Sequence, residues 1–432
     1  MKKCYLFTEQ FPYAKGEETF LEHEIPELAK NFELIIISSV DNKKVACEEA
    51  WQYDFLPKNV KIYNYLEKKA SVWEYLKGFF FFFVGKDFAK ERKEIFDKKS
   101  KTKLKKICKS VSTFVLAELF EKYLTQKKFF SPSEGDICYS YWYTYKVLGI
   151  IRFKEKIKND KIRVVTRAHG YDLYDERVLK GGRQPFVSYM NQKLDKVFFI
   201  SNQGYRYYLD KVGSKYVGKC HVFRIGVPGG TFNNSNTQQK TKFQTIVSCS
   251  SLIELKRVSL IIDALSNIDD YYIRWVHFGD GELKENLCSY ANAKLNEKDN
   301  ISYEFKGHVN RKEIYDFYRN EEVTLFVTTS ASEGSPVSIQ EALAFGLPIL
   351  ATNVGGIAEM ISENGVLLSS NPDSYEVAEA LSSFFSLSEI QRQRMRINSF
   401  KIWEEYFDGK KNANLFCNML LELSESKEAS VC

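Results

Sequence analysis

Two glutamates eight positions apart, Glu333 and Glu341, lie in the stretch of this chain richest in candidate chemistry, Thr328 to Met360. Between them stand Gly334, Ser335, Pro336 and Val337. A glycine lets the backbone approach a ligand closely because it has no Cβ. Ser335 suits a helix N-cap and Pro336 the first helical position, so a helix is predicted to begin there and run through Glu341, Ala342 and Leu343. Gly346 suits the residue just past its end, and Pro348 prevents its continuation. The free N–H groups and partial positive charge of such a helix start favour an anion. Carboxylates accept hydrogen bonds from paired hydroxyls, as on a ribose or hexose. A phosphate held between two polyols describes a nucleotide sugar.

The elements that position these residues are strands alternating with helical patterns, the signature of parallel α/β architecture. Val323–Val327 reads as the buried strand before the glutamates and Pro348–Val354 as the strand after them, with Gly355-Gly356 turning into another helix. Upstream, strands are predicted at Cys4–Thr8, Leu34–Ser38, Ile137–Tyr141, Arg163–Thr166, Lys196–Ser201 and Val222–Ile225. After a polar run the pattern restarts at Thr245–Cys249, Ile273–Phe278 and Ile301–Phe305. The expected division is 1–230 for a first α/β domain, 231–242 for a linker, 243–396 for a second domain and 397–432 for a C-terminal helical segment.

The string SEGSPVSIQEALAFGLPILATNVGG resembles the donor-site signature of retaining glycosyltransferase family 4, with Glu333 and Glu341 as the ends of its E-x7-E motif. The resemblance extends over residues 245–365 and, through short motifs, over 1–30 and 160–230. It implies the glycosyltransferase B fold, two Rossmann-like domains facing a central cleft, with the last helix returning to the first domain. It further implies retaining transfer of a sugar from a nucleotide diphosphate donor, UDP in the first instance. The acceptor would be a hydroxyl of a saccharide or lipid-linked oligosaccharide, in capsule, exopolysaccharide or O-antigen assembly. Neither a cofactor nor a metal is implied, and no D-x-D motif stands in place to hold one. A weakly active subunit of a glycosyltransferase complex and a sugar-phosphate synthase or phosphorylase on the same scaffold are the alternatives.

The family's R-L-x-x-x-K order falls on Ser251 to Lys256, so Lys256 matches and Ser251 stands where the arginine would be. Lys256 is expected at the donor diphosphate, where cation charge is needed as it departs. Arg257 is expected to point elsewhere. Gly279 and Gly281 match a tight loop beside the nucleotide, and His308 lies in a segment like the one whose backbone meets the base. In the first half, Gly16 matches a cleft-lining loop after the first strand, with Lys15 as a possible electrostatic helper. His169, at the end of the Arg163–Thr166 strand, matches a histidine close to the transferred sugar. Glu341 is assigned to ribose hydroxyls and Glu333 to hydroxyls of the donor sugar. The catalytic set is therefore His169, Lys256 and Glu333.

The 432-residue chain is long enough for two cores, and its 44% hydrophobic share is that of a globular protein. Nine scattered Cys and five dispersed His suggest neither a disulfide framework nor a metal cluster, and point to a reducing cytoplasm. The N-terminus reads as a strand and not as a secretory signal. No nucleic-acid module is recognisable. Lys68–Lys128 is the least family-like segment, with Trp73 and Phe79–Phe83 beside many lysines. It reads equally as a buried core helix with a solvated lysine face or as a peripheral contact with an anionic membrane surface.

Overall fold

The computed structural model describes residues 1–13, 16–40, 55–66, 69–96, 103–175, 184–230, 232 and 243–426. The chain divides into two compact units, Met1–Arg224 with Lys411–Cys432, and Ile225–Lys410. Each is built on one all-parallel sheet with helices on both faces. The first sheet comprises β1 (Lys3–Thr8), β2 (Glu33–Val40), β3 (Lys61–Leu66), β4 (Ile137–Ser140), β5 (Arg163–Ala168), β6 (Lys196–Phe199) and β7 (Cys220–Val222), in the order β3-β2-β1-β4-β5-β6-β7. The second comprises β8 (Gln244–Cys249), β9 (Ile273–Phe278), β10 (Ile301–Gly307), β11 (Leu325–Thr328), β12 (Ile349–Thr352) and β13 (Gly365–Leu368), in the order β10-β9-β8-β11-β12-β13. The architecture is that of the glycosyltransferase B fold.

Both faces of each sheet are buried, which is why its strands read as almost continuous apolar runs. In β1, Tyr5 and Phe7 join the core packed by the helices Lys103–Gln126 and Tyr145–Lys156. Cys4 and Leu6 face the opposite core, which includes Phe416, Cys417 and Leu420 of the C-terminal helix Gly409–Glu425. Buried Arg167 of β5 seals that contact. It pairs with Glu24, and its guanidinium lies 4.3 Å from the centre of the Phe416 ring. In the second unit Ile246, Trp275, Leu325 and Leu350 face one core while Val247, Val276, Phe326 and Ile349 face the other.

Several boundaries differ from the sequence reading. The unit boundary falls after Arg224, and the return to the first unit begins at Lys411. Residues 397–410 stay with the second unit because Trp403 and Phe407 are buried in its core. The outgoing and returning chain run side by side: Val227 N–H donates to Phe407 O at 3.0 Å and Gly409 N–H to Val227 O at 3.1 Å. The expected linker, apart from Phe232, lies outside the described residues. The strand expected at Val222–Ile225 is Cys220–Val222. The edge strands β3 and β13 have no counterpart in the sequence reading.

Candidate active site

In a parallel sheet of this order, ligands bind beyond the carboxyl ends of the strands at the point where strand order reverses. In the second unit that point lies between β8 and β11, which pair directly. The two loops leaving these strands are laced together. Ala331 N–H donates to Leu255 O at 2.8 Å, and the Thr329 hydroxyl donates to Arg257 O at 2.9 Å. Arg257 itself has φ +47°, and its guanidinium donates to Thr329 O, Ser330 O and Ser370 O. It is a buttress of the loop, its guanidinium committed to these carbonyls.

Lys256 Nζ lies 2.5 Å from Glu333 Oε1, each side chain largely but not wholly covered. The sheet order has brought together two residues 77 positions apart, one from each loop. Glu341 is buried, and its Oε1 lies 3.0 Å from Arg311 Nε. Arg311 was not found from sequence. It opens the helix Arg311–Asn320, whose start is fixed by an Asn310–Glu313 capping box immediately after the Phe305–Val309 segment. That capping box was the available signal. His308, in the same loop, is exposed.

The helix after Glu333 spans Val337–Ala344. Pro336 occupies the N-cap, one residue later than expected, and no side chain caps it. Pro336 keeps the φ of a helix but an extended ψ of 121°, so the helix starts one residue after it and Ser335 is not its cap. Its hydroxyl instead accepts from Gln340 Nε2 at 3.0 Å. The C-terminus follows expectation: Gly346, φ +66°, donates to Leu343 O and Leu347 N–H to Ala342 O, a Schellman closure.

Gly279 and Gly281 are required for a reason other than ligand approach. A Cβ at Gly279 would lie 1.9 Å from Ser250 O, and one at Gly281 would lie 2.5 Å from Leu252 O. They let the β9 loop press against the β8 loop. Gly355 does the same for the donor-motif loop: with φ +55°, its Cβ would lie 1.7 Å from Glu333 O. Beside it, Gly356 N–H donates to Gly334 O at 2.9 Å.

In the first unit the equivalent reversal lies between β1 and β4. Here the central carboxylate is Glu17, buried, which accepts from the N–H groups of Glu9, Gln10 and Phe11 and from Trp142 Nε1. Buried Lys146 ties Thr8 O at 2.8 Å to Glu9 Oε1 at 2.9 Å. Gly16 has φ +127°, with open space where a Cβ would stand. Lys15 lies outside the described residues. Asp172 holds the next loop by accepting from His169 N–H at 2.7 Å and from Tyr143 N–H at 2.9 Å.

The His169 ring is buried against Trp142, with centroids 4.2 Å apart, and Tyr141. Neither ring nitrogen has a hydrogen-bond partner, since Asp172 Oδ2 is 3.7 Å from Nδ1. Burial lowers its pKa and outweighs the raising effect of Asp172, so the ring is held neutral. His277 of β9 is the contrast. Its Nδ1 meets Ser248 Oγ at 2.8 Å and its Nε2 meets Ser250 O at 3.1 Å. Buried and fully partnered, it is structural, with a pKa pushed down to about 4 by burial. Among the described residues no three His, Cys, Asp or Glu side chains gather as a metal site.

Two parallel-sheet units, each with its strand order reversing at the centre, are the architecture of the glycosyltransferase B fold, and the second carries the E-x7-E helix beside the Lys256–Glu333 pair. Residues 231–402 match the family described as glycosyl transferases group 1. A 247-residue stretch, 57% of the chain and 67% of the relative, is 28% identical to the O-antigen biosynthesis glycosyltransferase WbnH of Escherichia coli. The lipopolysaccharide outer core galactosyltransferase WaaB shares the fold with a TM-score of 0.63 at 15% identity, covering 96% of this chain and 99% of that one. Anabaena HepE, solved with UDP and glucose, does so with a TM-score of 0.61 at 14% identity, over 97% and 99%.

Proposed function

We propose that this chain is a retaining glycosyltransferase that moves a sugar from a nucleotide diphosphate donor, UDP in the first instance, to a hydroxyl acceptor. The observation that carries the reading is the Lys256–Glu333 pair at the β8–β11 reversal. A cation and a sugar-binding carboxylate joined to each other can part to take opposite ends of one donor. Lys256 would turn to the diphosphate and stabilise the charge that develops as it leaves, helped by the N-terminus of the helix Val337–Ala344. Glu333 would then accept from hydroxyls of the donor sugar, and Glu341, oriented by Arg311, from those of the ribose. His169 brings two unbonded ring nitrogens in a neutral ring, suited to a hydrogen bond with a sugar hydroxyl rather than to a charge. The chemistry needs neither a protein nucleophile nor a divalent metal if the acceptor enters on the face from which the phosphate departs. The O-antigen name of the relative WbnH supports a saccharide or lipid-linked oligosaccharide acceptor in bacterial surface-polysaccharide assembly at the cytoplasmic face of the membrane.

One observation favours a weakly active subunit instead. Ser251 stands where the family has arginine, and Arg257 is committed to backbone carbonyls. The test is a panel of UDP, GDP and dTDP sugars scored by thermal stabilisation, followed by transfer to saccharide acceptors with and without chelator. Expected are stabilisation by a subset of donors, chelator-resistant turnover and retained anomeric configuration by NMR. Stabilisation without hydrolysis or transfer would establish the subunit reading, and an inverted product would remove the retaining one.

A further inference from the structure

The helix Val72–Val84 is apolar on two faces, and only one of them is covered. Tyr75, Gly78, Phe79 and Phe82 form the inner stripe, with Phe82 fully buried and Tyr75 and Phe79 packed at the core margin. The approach to the helix Lys103–Gln126 is close, since a Cβ at Gly78 would lie 2.8 Å from the Val115 side chain. The outer stripe follows the spacing of one helical face. Trp73 is 80% exposed, Leu76 53%, Phe80 64% and Phe83 58%. The five-phenylalanine run is thus neither wholly core nor wholly surface. An exposed apolar stripe this rich in aromatics marks an interaction surface.

Charge identifies the occupant. Residues 68–109 contain 14 Lys or Arg and 5 Asp or Glu, a charge of +9 against +6 for the whole chain, so the remainder is net negative. Lys77 sits 5.5 Å over the Phe81 ring, and Lys103 sits 5.8 Å over the ring of Phe96, itself exposed. A second copy docking through this face would set two such basic segments against each other. A bilayer with anionic headgroups attracts the lysines and accepts the aromatic rings at its interface. Thirteen residues of helix span about 20 Å, short of a hydrocarbon core of about 30 Å. No described helix is long and apolar enough to cross a membrane.

We propose that the outer face of Val72–Val84 lies in the plane of an anionic membrane surface, with Trp73, Leu76, Phe80 and Phe83 entering the headgroup boundary. The test is co-sedimentation of the full chain with phosphatidylcholine vesicles, with and without about one-third phosphatidylglycerol, at low and high salt. No nucleotide sugar is present, so the outcome is independent of the transfer reaction. The wild type is expected to bind the anionic vesicles at least about ten-fold more tightly than the neutral ones, and less tightly in high salt. The triple variant Trp73→Ser, Phe80→Ser, Phe83→Ser should lose about ten-fold or more with an unchanged melting temperature, because all three side chains are exposed. The variant Lys77→Gln, Lys86→Gln, Lys90→Gln keeps the apolar face and should lose binding to anionic vesicles only. Failure of the wild type to bind at low salt, equal binding to both vesicle types, or unchanged binding by the serine variant would each overturn the proposal. So would a lipid-free dimer in ultracentrifugation that the serine variant abolishes.

Discussion

The two units place their strands in the same order and then furnish the same position with opposite chemistry. At the β8–β11 reversal the groups are charged, partly exposed and paired with each other, as Lys256 with Glu333. At the β1–β4 reversal the carboxylate of Glu17 is buried and consumed by backbone N–H groups and an indole, while the imidazole of His169 is walled by aromatic rings and unbonded. Strand order therefore fixes where the loops converge, and loop side chains decide whether their charges stay partly exposed, as Lys256 and Glu333, or are buried beside a neutral imidazole, as Glu17 and His169. Under the proposed function the first kind exchanges partners when a donor arrives. The second is preformed.

The comparison is broken most severely at Lys256. Lys256→Ala is expected to lower turnover by about 10²–10³-fold, the usual cost of losing one preorganised charge-stabilising group, with little change in melting temperature. Single-turnover kinetics with calorimetric melting checks this, and wild-type turnover would shift the phosphate role to another cation. The next effect is on stability and belongs to His277. Its folded pKa of about 4 lies below the ordinary 6.5, so the unfolded chain binds more protons between these values. Stability from this group is then fully present above about pH 6.5 and falls as pH drops toward 4, by about 3 kcal/mol in all. Urea unfolding across that range should show the slope in wild type and a shallower one in His277→Gln.

Glu341→Ala should weaken nucleoside diphosphate binding by roughly 1.5–3 kcal/mol in titration calorimetry while the fold persists. Unchanged affinity would refute the ribose assignment. His169→Ala sharpens the contrast with His277. It should reduce kcat/KM by about ten-fold, the worth of a hydrogen bond of about 1.4 kcal/mol, and cost about 2–4 kcal/mol of urea stability, all of it from the space vacated beside Trp142 and Tyr141 since no hydrogen bond of the ring is lost. A large loss of stability with normal kinetics would make His169 structural like its counterpart.

Much of the second unit was legible because a strand buried on both faces writes itself as an apolar run, as in Ile273–Phe278, found to the residue. The edge strands β3, KIYNYL, and β13, GVLL, escaped because their polar or short patterns resemble loop margins. Lys256, Glu333 and Glu341 could be named singly, but the pairings Lys256–Glu333 and Glu341–Arg311 could not. Each depends on which strands become neighbours, a long-range outcome that local pattern does not encode. The indole partner of Glu17, Trp142, was hidden for the same reason, lying 125 positions away, whereas its three backbone partners lie within eight positions. Ser335 illustrates a local error: the Ser-Pro pair satisfied the cap rule, yet Pro336 itself takes an extended ψ and the helix starts one residue later, with the Ser335 hydroxyl engaged by Gln340 instead.

The turn at Gly355 makes the Glu333 loop a supported beam. The carbonyl of Glu333 rests where a side chain at residue 355 would have to be, 22 positions downstream and on the far side of a strand. A single added methyl group there would act as a wedge, lifting the glutamate from behind. Position 355 is thus a mechanical adjustment screw for Glu333: the geometry of a carboxylate is set by a residue that contributes nothing but room.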